Sequence, residues 1–174
     1  MTARPETQRK EFVITRSYEA PRELVWRAFA QAEALAQWWG PKGFTLTVFE
    51  FEFRPGGTFH YRLDGPNGHT MWARFTYREI AAPERIVFVN AFSDEAGNVS
   101  RAPFFDGNWP LEVLMTATFS EQGGTTTVTL RSHPINATDV EEATFESNIE
   151  SMTQGFGNAF DQLAVYLAKA RTND

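Results

Sequence analysis

From Phe145 onward an apolar residue recurs every third or fourth position: Phe145, Ile149, Met152, Phe156, Phe160, Leu163 and Leu167. That spacing keeps one face of an α-helix apolar over about six turns. Just ahead of it, Thr138-Asp139-Val140-Glu141 carries the capping-box pattern. In that pattern a hydroxyl and a carboxylate each satisfy an N–H that the first helical turn leaves free. One long C-terminal helix is therefore predicted. Because a single-striped helix gains most of its stability from what covers the stripe, the rest of the chain must supply a broad apolar surface. Gly155 and Gly157 interrupt the helix, each at a cost of about 1 kcal/mol relative to alanine. Missing side chains there either admit a close neighbour, the simpler expectation, or leave room for a ligand.

The preceding residues read as that surface. Residues 11–19 are rich in β-formers (Phe12, Val13, Ile14, Thr15, Tyr18) and predict a strand. Pro21 suits the first turn of a short helix carrying Leu24, Val25, Ala28 and Phe29. A second short helix over about 32–39 carries Leu35, Trp38 and Trp39 and stops at Gly40-Pro41. The period then changes to two, placing Phe49, Phe51 and Phe53 on one face and Glu50, Glu52 and Arg54 on the other. Pro55-Gly56-Gly57 turns the chain into a partner strand over 58–63, and further strands follow over about 71–80, 85–92, 111–120 and 125–133. Hairpin-linked strands with one apolar face make an antiparallel sheet. The expected fold class is α+β: a curved antiparallel sheet of about seven strands around the long helix, with two short helices after the first strand. A curled sheet wraps a helix without filling every corner, so a cavity is expected between them. Residues 11–170 are expected to form one domain, and the polar residues 1–10 a disordered tail.

Composition narrows the partners. The net charge of −6 and the lack of any Lys/Arg run argue against nucleic acid. The chain has no cysteine, which excludes disulfides, thiolate metal ligands and a cysteine nucleophile, and suits a reducing cytoplasm. No apolar run approaches the ~18 residues of a membrane span, and the start has no apolar signal core, so membrane insertion is not expected. Sixteen Phe and five Trp either fill the core or leave a surplus that lines a cavity or an interface. Residues 93–110 form a long connection ending in Phe104, Phe105 and Trp109; loops of this length are commonly functional or disordered, and a disordered one would not need those rings.

Catalytic chemistry has little support. His60, His69 and His133 form no paired ligand spacing, so neither a metal nor any other cofactor is expected. His60 lies between Phe59 and Tyr61 in a strand and faces solvent if those rings face inward. No Gly-x-Ser-x-Gly elbow is present, and Gly56-Gly57 is explained by a turn. Glu79, Asp106 and His133 are the acid–base candidates a pocket would have to gather; no catalytic set is assigned.

Several short stretches resemble the SRPBCC (START-like) superfamily, in the branch named for the activator of the heat-shock protein 90 ATPase, bacterial single-domain type. They are Ala20-Pro21-Arg22-Glu23-Leu24-Val25-Trp26, Trp38-Trp39-Gly40-Pro41-Lys42-Gly43-Phe44, Arg54-Pro55-Gly56-Gly57, Tyr77-Arg78-Glu79-Ile80 with Pro83-Glu84-Arg85-Ile86, Trp109-Pro110-Leu111-Glu112-Val113 and Gly155-Phe156-Gly157. Each is weak alone; together, in order over 11–168, they are specific. The resemblance implies a helix-grip fold with a hydrophobic cavity between sheet and helix. Its superfamily includes lipid and hormone carriers as well as polyketide cyclases. The co-chaperone that names the branch has a further chaperone-binding domain, for which this chain leaves no room, so a chaperone partner is not the leading expectation.

The leading reading is a binding protein for a small hydrophobic or aromatic molecule. Met152, Phe156 and Phe160 would form one wall, Phe59, Tyr61, Phe75 and Phe88 the other, and Phe104, Phe105 and Trp109 a lid. Adjacent helical residues diverge by about 100°, so one of Trp38 and Trp39 is expected to wall the pocket and the other to plug the sheet or a partner subunit. The alternatives are a cyclase- or hydrolase-type enzyme using the same cavity, and a co-chaperone-like stress-response interaction protein. A homodimer is compatible with each.

Overall fold

The computed structural model describes residues 10–172, and within them each change of hydrophobic period becomes a change of element. All but Lys10 of the expected tail lies outside the described residues. Strand β1 (Phe12–Tyr18) leads into helices α1 (Arg22–Ala30) and α2 (Ala32–Trp38). Six strands follow: β2 (Thr45–Phe51), β3 (Thr58–Asp64), β4 (Thr70–Ala81), β5 (Arg85–Phe92), β6 (Glu112–Gln122) and β7 (Thr125–Ile135). Helices α3 (Asp139–Ser147) and α4 (Ile149–Thr172) complete the order. The strands form one seven-stranded sheet in the order β1-β7-β6-β5-β4-β3-β2, with every neighbouring pair antiparallel. Thus β2 to β7 form a meander, and β1 closes beside β7. The α1–α2 segment carries the chain from one edge of the sheet to the other.

Side chains of one phase point to the helices. Phe12, Ser132, Met115 and Phe88 are successive partners across four strands and make one inward row. The apolar stripe of α4 lies over this face, with Phe160, Leu163 and Leu167 buried and Met152 and Phe156 only half-buried. Polar contacts pin the buried end. Tyr18 Oη donates to the Phe160 carbonyl at 3.1 Å, Gln162 Nε2 donates to the Gly40 carbonyl at 3.1 Å, and Arg16 pairs with Asp161 at 2.7 Å.

Three local expectations are corrected. The C-terminal helix is two helices, because Asn148 (φ −112°, ψ 13°) breaks the α-geometry between α3 and α4. Thr144, Ser147 and Asn148 all return side-chain hydrogen bonds to carbonyls one turn back, a competition with the backbone that bends helices. The capping box is present as expected: Thr138 Oγ1 accepts the Glu141 N–H and the Glu141 carboxylate accepts the Thr138 N–H. Second, Phe49 does not share a face with Phe51 and Phe53. A bulge between Val48 and Glu50 slips the pairing by one residue and turns Phe49 outward. There it is 51% exposed, with its ring 4.9 Å from Trp72 and the Arg62 guanidinium 5.2 Å above it. Third, His60 lies on the outer face as its strand phase requires, yet is only 7% exposed. Trp72 stacks on it at 5.3 Å, and the loop after β5 covers it, placing the Asp94 carbonyl oxygen 3.3 Å from Nε2.

Candidate ligand-binding pocket

Between the sheet and the α3–α4 junction lies a pocket of about 520 Å³, within the size range of small-molecule sites. The inward phase of the strands makes its floor, with Tyr61 on β3, Ala73 on β4, Asn90 and Phe92 on β5, Met115 on β6 and Ser132 on β7. Ala73 and Val113, small for a central sheet position, help leave the space open. Phe145, Asn148, Met152 and Phe156 roof it; Trp39-Gly40-Pro41 closes one end, and Phe104, Phe105 and Trp109 border the other. Gly155 also borders it, and a Cβ built there would meet nothing within 4 Å. A Cβ at Gly157 would touch only Arg16 Nη2, at 3.9 Å. Neither glycine admits a close neighbour, so the simpler expectation for them is replaced by the other: Gly155 widens the pocket.

The wall is almost free of charge. Among the described residues lining it there is no Asp, Glu, His, Lys or Arg, and Tyr61 is the one titratable side chain. Burial pushes the Tyr61 phenol well above its ordinary value, against the opposing hydrogen bond that its oxygen accepts from Trp39 Nε1 at 3.0 Å. It therefore stays protonated at any physiological pH. Ser132 is 1% exposed and its Oγ has no hydrogen-bond partner among the described residues.

The loop residues at the mouth are held by ring contacts and an ion pair. Phe105 and Asp106 both adopt left-handed backbone (φ 57° and 53°), followed by Gly107 (φ 75°). Such geometry is uncommon for a bulky side chain such as Phe105. It lets Phe105 stack on Trp109 at 5.6 Å while Phe104 meets Phe92 at 5.2 Å. Trp109 in turn rests on Phe145, 5.6 Å away. The same loop is tied to α3 by Arg101, which pairs with the Glu141 carboxylate and donates to the carbonyls of Gly107 (3.4 Å) and Trp109 (3.5 Å). Burial by itself would raise the Glu141 carboxyl, but the Thr138 N–H and the Arg101 guanidinium outweigh it and hold the group below the usual carboxylate range. One carboxylate thus both caps α3 and tethers the mouth loop.

Of the side chains singled out from the sequence, Trp39, Tyr61, Phe104, Phe105, Trp109, Met152 and Phe156 border the pocket. Trp38, Phe59, Phe75, Phe88 and Phe160 do not; they belong to the packed core beside it. Trp38 meets Trp39 edge-on at 5.5 Å, donates Nε1–H to the Ala28 carbonyl at 2.9 Å, and packs on Phe29. Trp39 lies edge-on to Phe75 (5.1 Å) and Phe88 (6.5 Å) while bordering the pocket itself, so its ring covers theirs. Phe59 is sandwiched by Tyr61 and Phe75. Sequence reasoning passed over Asn90 and Ser132. The signal was available: each is a polar residue in the inward phase of its strand, Asn90 between Phe88 and Phe92, and Ser132 after Val128 and Leu130. Glu79, Asp106 and His133 do not border the pocket; Glu79 pairs with Arg85 instead.

A family model described as activator of Hsp90 ATPase homolog 1-like protein matches residues 19–168. No curated protein matches the chain. Solved structures similar to it include a crystal structure of a protein from Mycobacterium smegmatis, 22% identical with a TM-score of 0.74, covering 92% of each chain. A solution structure of a protein from Arthrobacter aurescens is 24% identical with a TM-score of 0.78, covering 97% of this chain and 91% of that one. A third is the crystal structure of a putative protein in the dynemicin biosynthetic locus. It is 19% identical with a TM-score of 0.62, covering 92% of this chain and 48% of that one. At such identities the likeness speaks to the fold.

Proposed function

The chain belongs to the activator of Hsp90 ATPase homolog 1-like family, and on that premise we propose that it is a binding protein for a small apolar or aromatic molecule held between the sheet and α3–α4. The observation that carries this reading is the wall itself: aromatic and aliphatic side chains around about 520 Å³, with no acid, imidazole or cation among the described lining residues. Acid–base catalysis needs such a group within hydrogen-bond reach of the substrate, so the wall favours binding over a cyclase or hydrolase activity. A three-ring aromatic that buries on the order of 300 Å² would gain roughly 7 kcal/mol before ordering costs, enough for a useful affinity. The mouth loop, tethered through Arg101 and Glu141, would open to admit it. Residues 11–170 would act as one unit, in the reducing cytoplasm that a cysteine-free chain suits.

Native mass spectrometry of freshly purified protein tests the proposal, reading retained small molecules and subunit number together. A thermal-shift screen of aromatic and lipidic compounds complements it. The expected result is a retained or added ligand that raises the melting temperature by mass action. A broad panel that never shifts it, with no retained mass, would count against the proposal.

A further inference from the structure

The polar groups of the pocket floor are uncommitted, and they are ordered. Asn90 lies on β5, the middle strand of seven, and its amide makes no hydrogen bond among the described residues. Ser132 on β7 has a fully buried Oγ with no hydrogen-bond partner among the described residues. Tyr61 on β3 accepts the Trp39 N–H, which leaves its own proton without an acceptor among the described residues. Register sets them on a diagonal. Tyr61 is level with Ala73 and through it with Phe92, whereas Ser132 is level with Met115 and through it with Phe88. Asn90 falls midway between Phe92 and Phe88 on the same strand. Each step of the diagonal is two strands across and two residues along, roughly 11 to 12 Å between backbones at ordinary sheet spacing. All three residues border one space.

Two ligand classes fit this floor badly. A carboxylate head group would be buried without a Lys, Arg or His among the described lining residues to offset its lost hydration. A plain hydrocarbon would seal the Asn90 amide and the Tyr61 hydroxyl proton away from any partner. A carbonyl or hydroxyl oxygen on an uncharged ring system suits it, since Asn90 can donate or accept while Tyr61 can donate. Resting on the binding-protein reading above, we infer that the pocket selects an uncharged, oxygen-bearing aromatic or alicyclic molecule, and that Asn90 is its specificity-determining residue.

Three probes sharing one skeleton test this: fluorene, 9-fluorenone and fluorene-9-carboxylate, titrated against the full chain by calorimetry and by quenching of Trp39 and Trp109. The expected result is that fluorenone binds about tenfold tighter than fluorene, the order expected of one net hydrogen bond, and the carboxylate weakest. Asn90→Ala and Asn90→Leu should each bring the fluorenone-to-fluorene affinity ratio towards one, and cooperative urea unfolding reports that the variants remain folded. Equal affinity for fluorene and fluorenone, a preference for the carboxylate, or a fluorenone advantage that survives in both Asn90 variants would overturn the inference alone. Failure of all three probes to bind would overturn the binding-protein reading and this inference with it.

Discussion

The two ends of the apolar stripe on α3–α4 are built from the same residue types and meet opposite environments. At the C-terminal end Phe160, Leu163 and Leu167 are buried in the core, and Tyr18, Arg16 and Gln162 bond that part of the helix to β1 and to the turn after α2. At the N-terminal end Met152 and Phe156 are half-buried and look onto the pocket, Gly155 leaves space beside them, and Asn148 breaks the helix. Periodicity alone cannot tell these ends apart. The difference lies in what stands opposite: large core rings below one, Ala73, Asn90 and Val113 below the other. A helix can therefore be gripped at one end and serve as a pocket roof at the other.

The sharpest way to break the comparison is to truncate one residue from each end. Leu163→Ala should destabilise by about 2–5 kcal/mol in urea unfolding, as other buried leucines do. Met152→Ala should cost no more than about 1 kcal/mol, since the side chain already borders open space, while it weakens whatever binds the pocket. Equal losses would refute the distinction. Next in size is Glu141→Gln, which keeps a capping acceptor but removes the charge that Arg101 meets, at about 1 kcal/mol for a pair whose arginine is half exposed. The Glu141 carboxyl lies below its ordinary value in the folded chain, so the unfolded chain takes up its proton first. Its contribution is then fully present above the ordinary carboxylate range and is lost as pH falls through the folded value. Stability measured down an acid series should fall less steeply in the Gln variant. The smallest change has the opposite sign. Gly155→Ala should stabilise by up to about 1 kcal/mol, because the helix gains propensity and the new methyl meets nothing within 4 Å. The same methyl should weaken binding of the bulkiest ligands, and destabilisation instead would mean that Gly155 packs against a neighbour after all.

Much of this was legible in the residue pattern. The capping box at Thr138–Glu141, the strand phases and the element order are local properties: a 3.6 or 2.0 period and a handful of turn residues state them directly. Seven of the twelve pocket candidates also border the pocket, because inward phase and large size put a ring somewhere near it. The misplaced ones share a cause. Phe59, Phe75, Phe88, Phe160 and Trp38 face inward as read, but where other rings lie directly across from them the interior is filled, and no sequence period encodes that distance. Phe49 was lost to a single bulge, and His60 to a loop that folds over the outer face.

By itself the sequence determined the order of the strands and helices, the inward phase of most strands, and that no cysteine chemistry is available to it. Only the tertiary structure decided which interior positions are solid and which are hollow, and that the described residues bordering the hollow carry no formal charge. Facing is a property of one strand or helix turn, set by local backbone geometry. Hollowness depends on the summed volumes of side chains from several elements meeting across a curved sheet, and that sum exists only once the chain has folded.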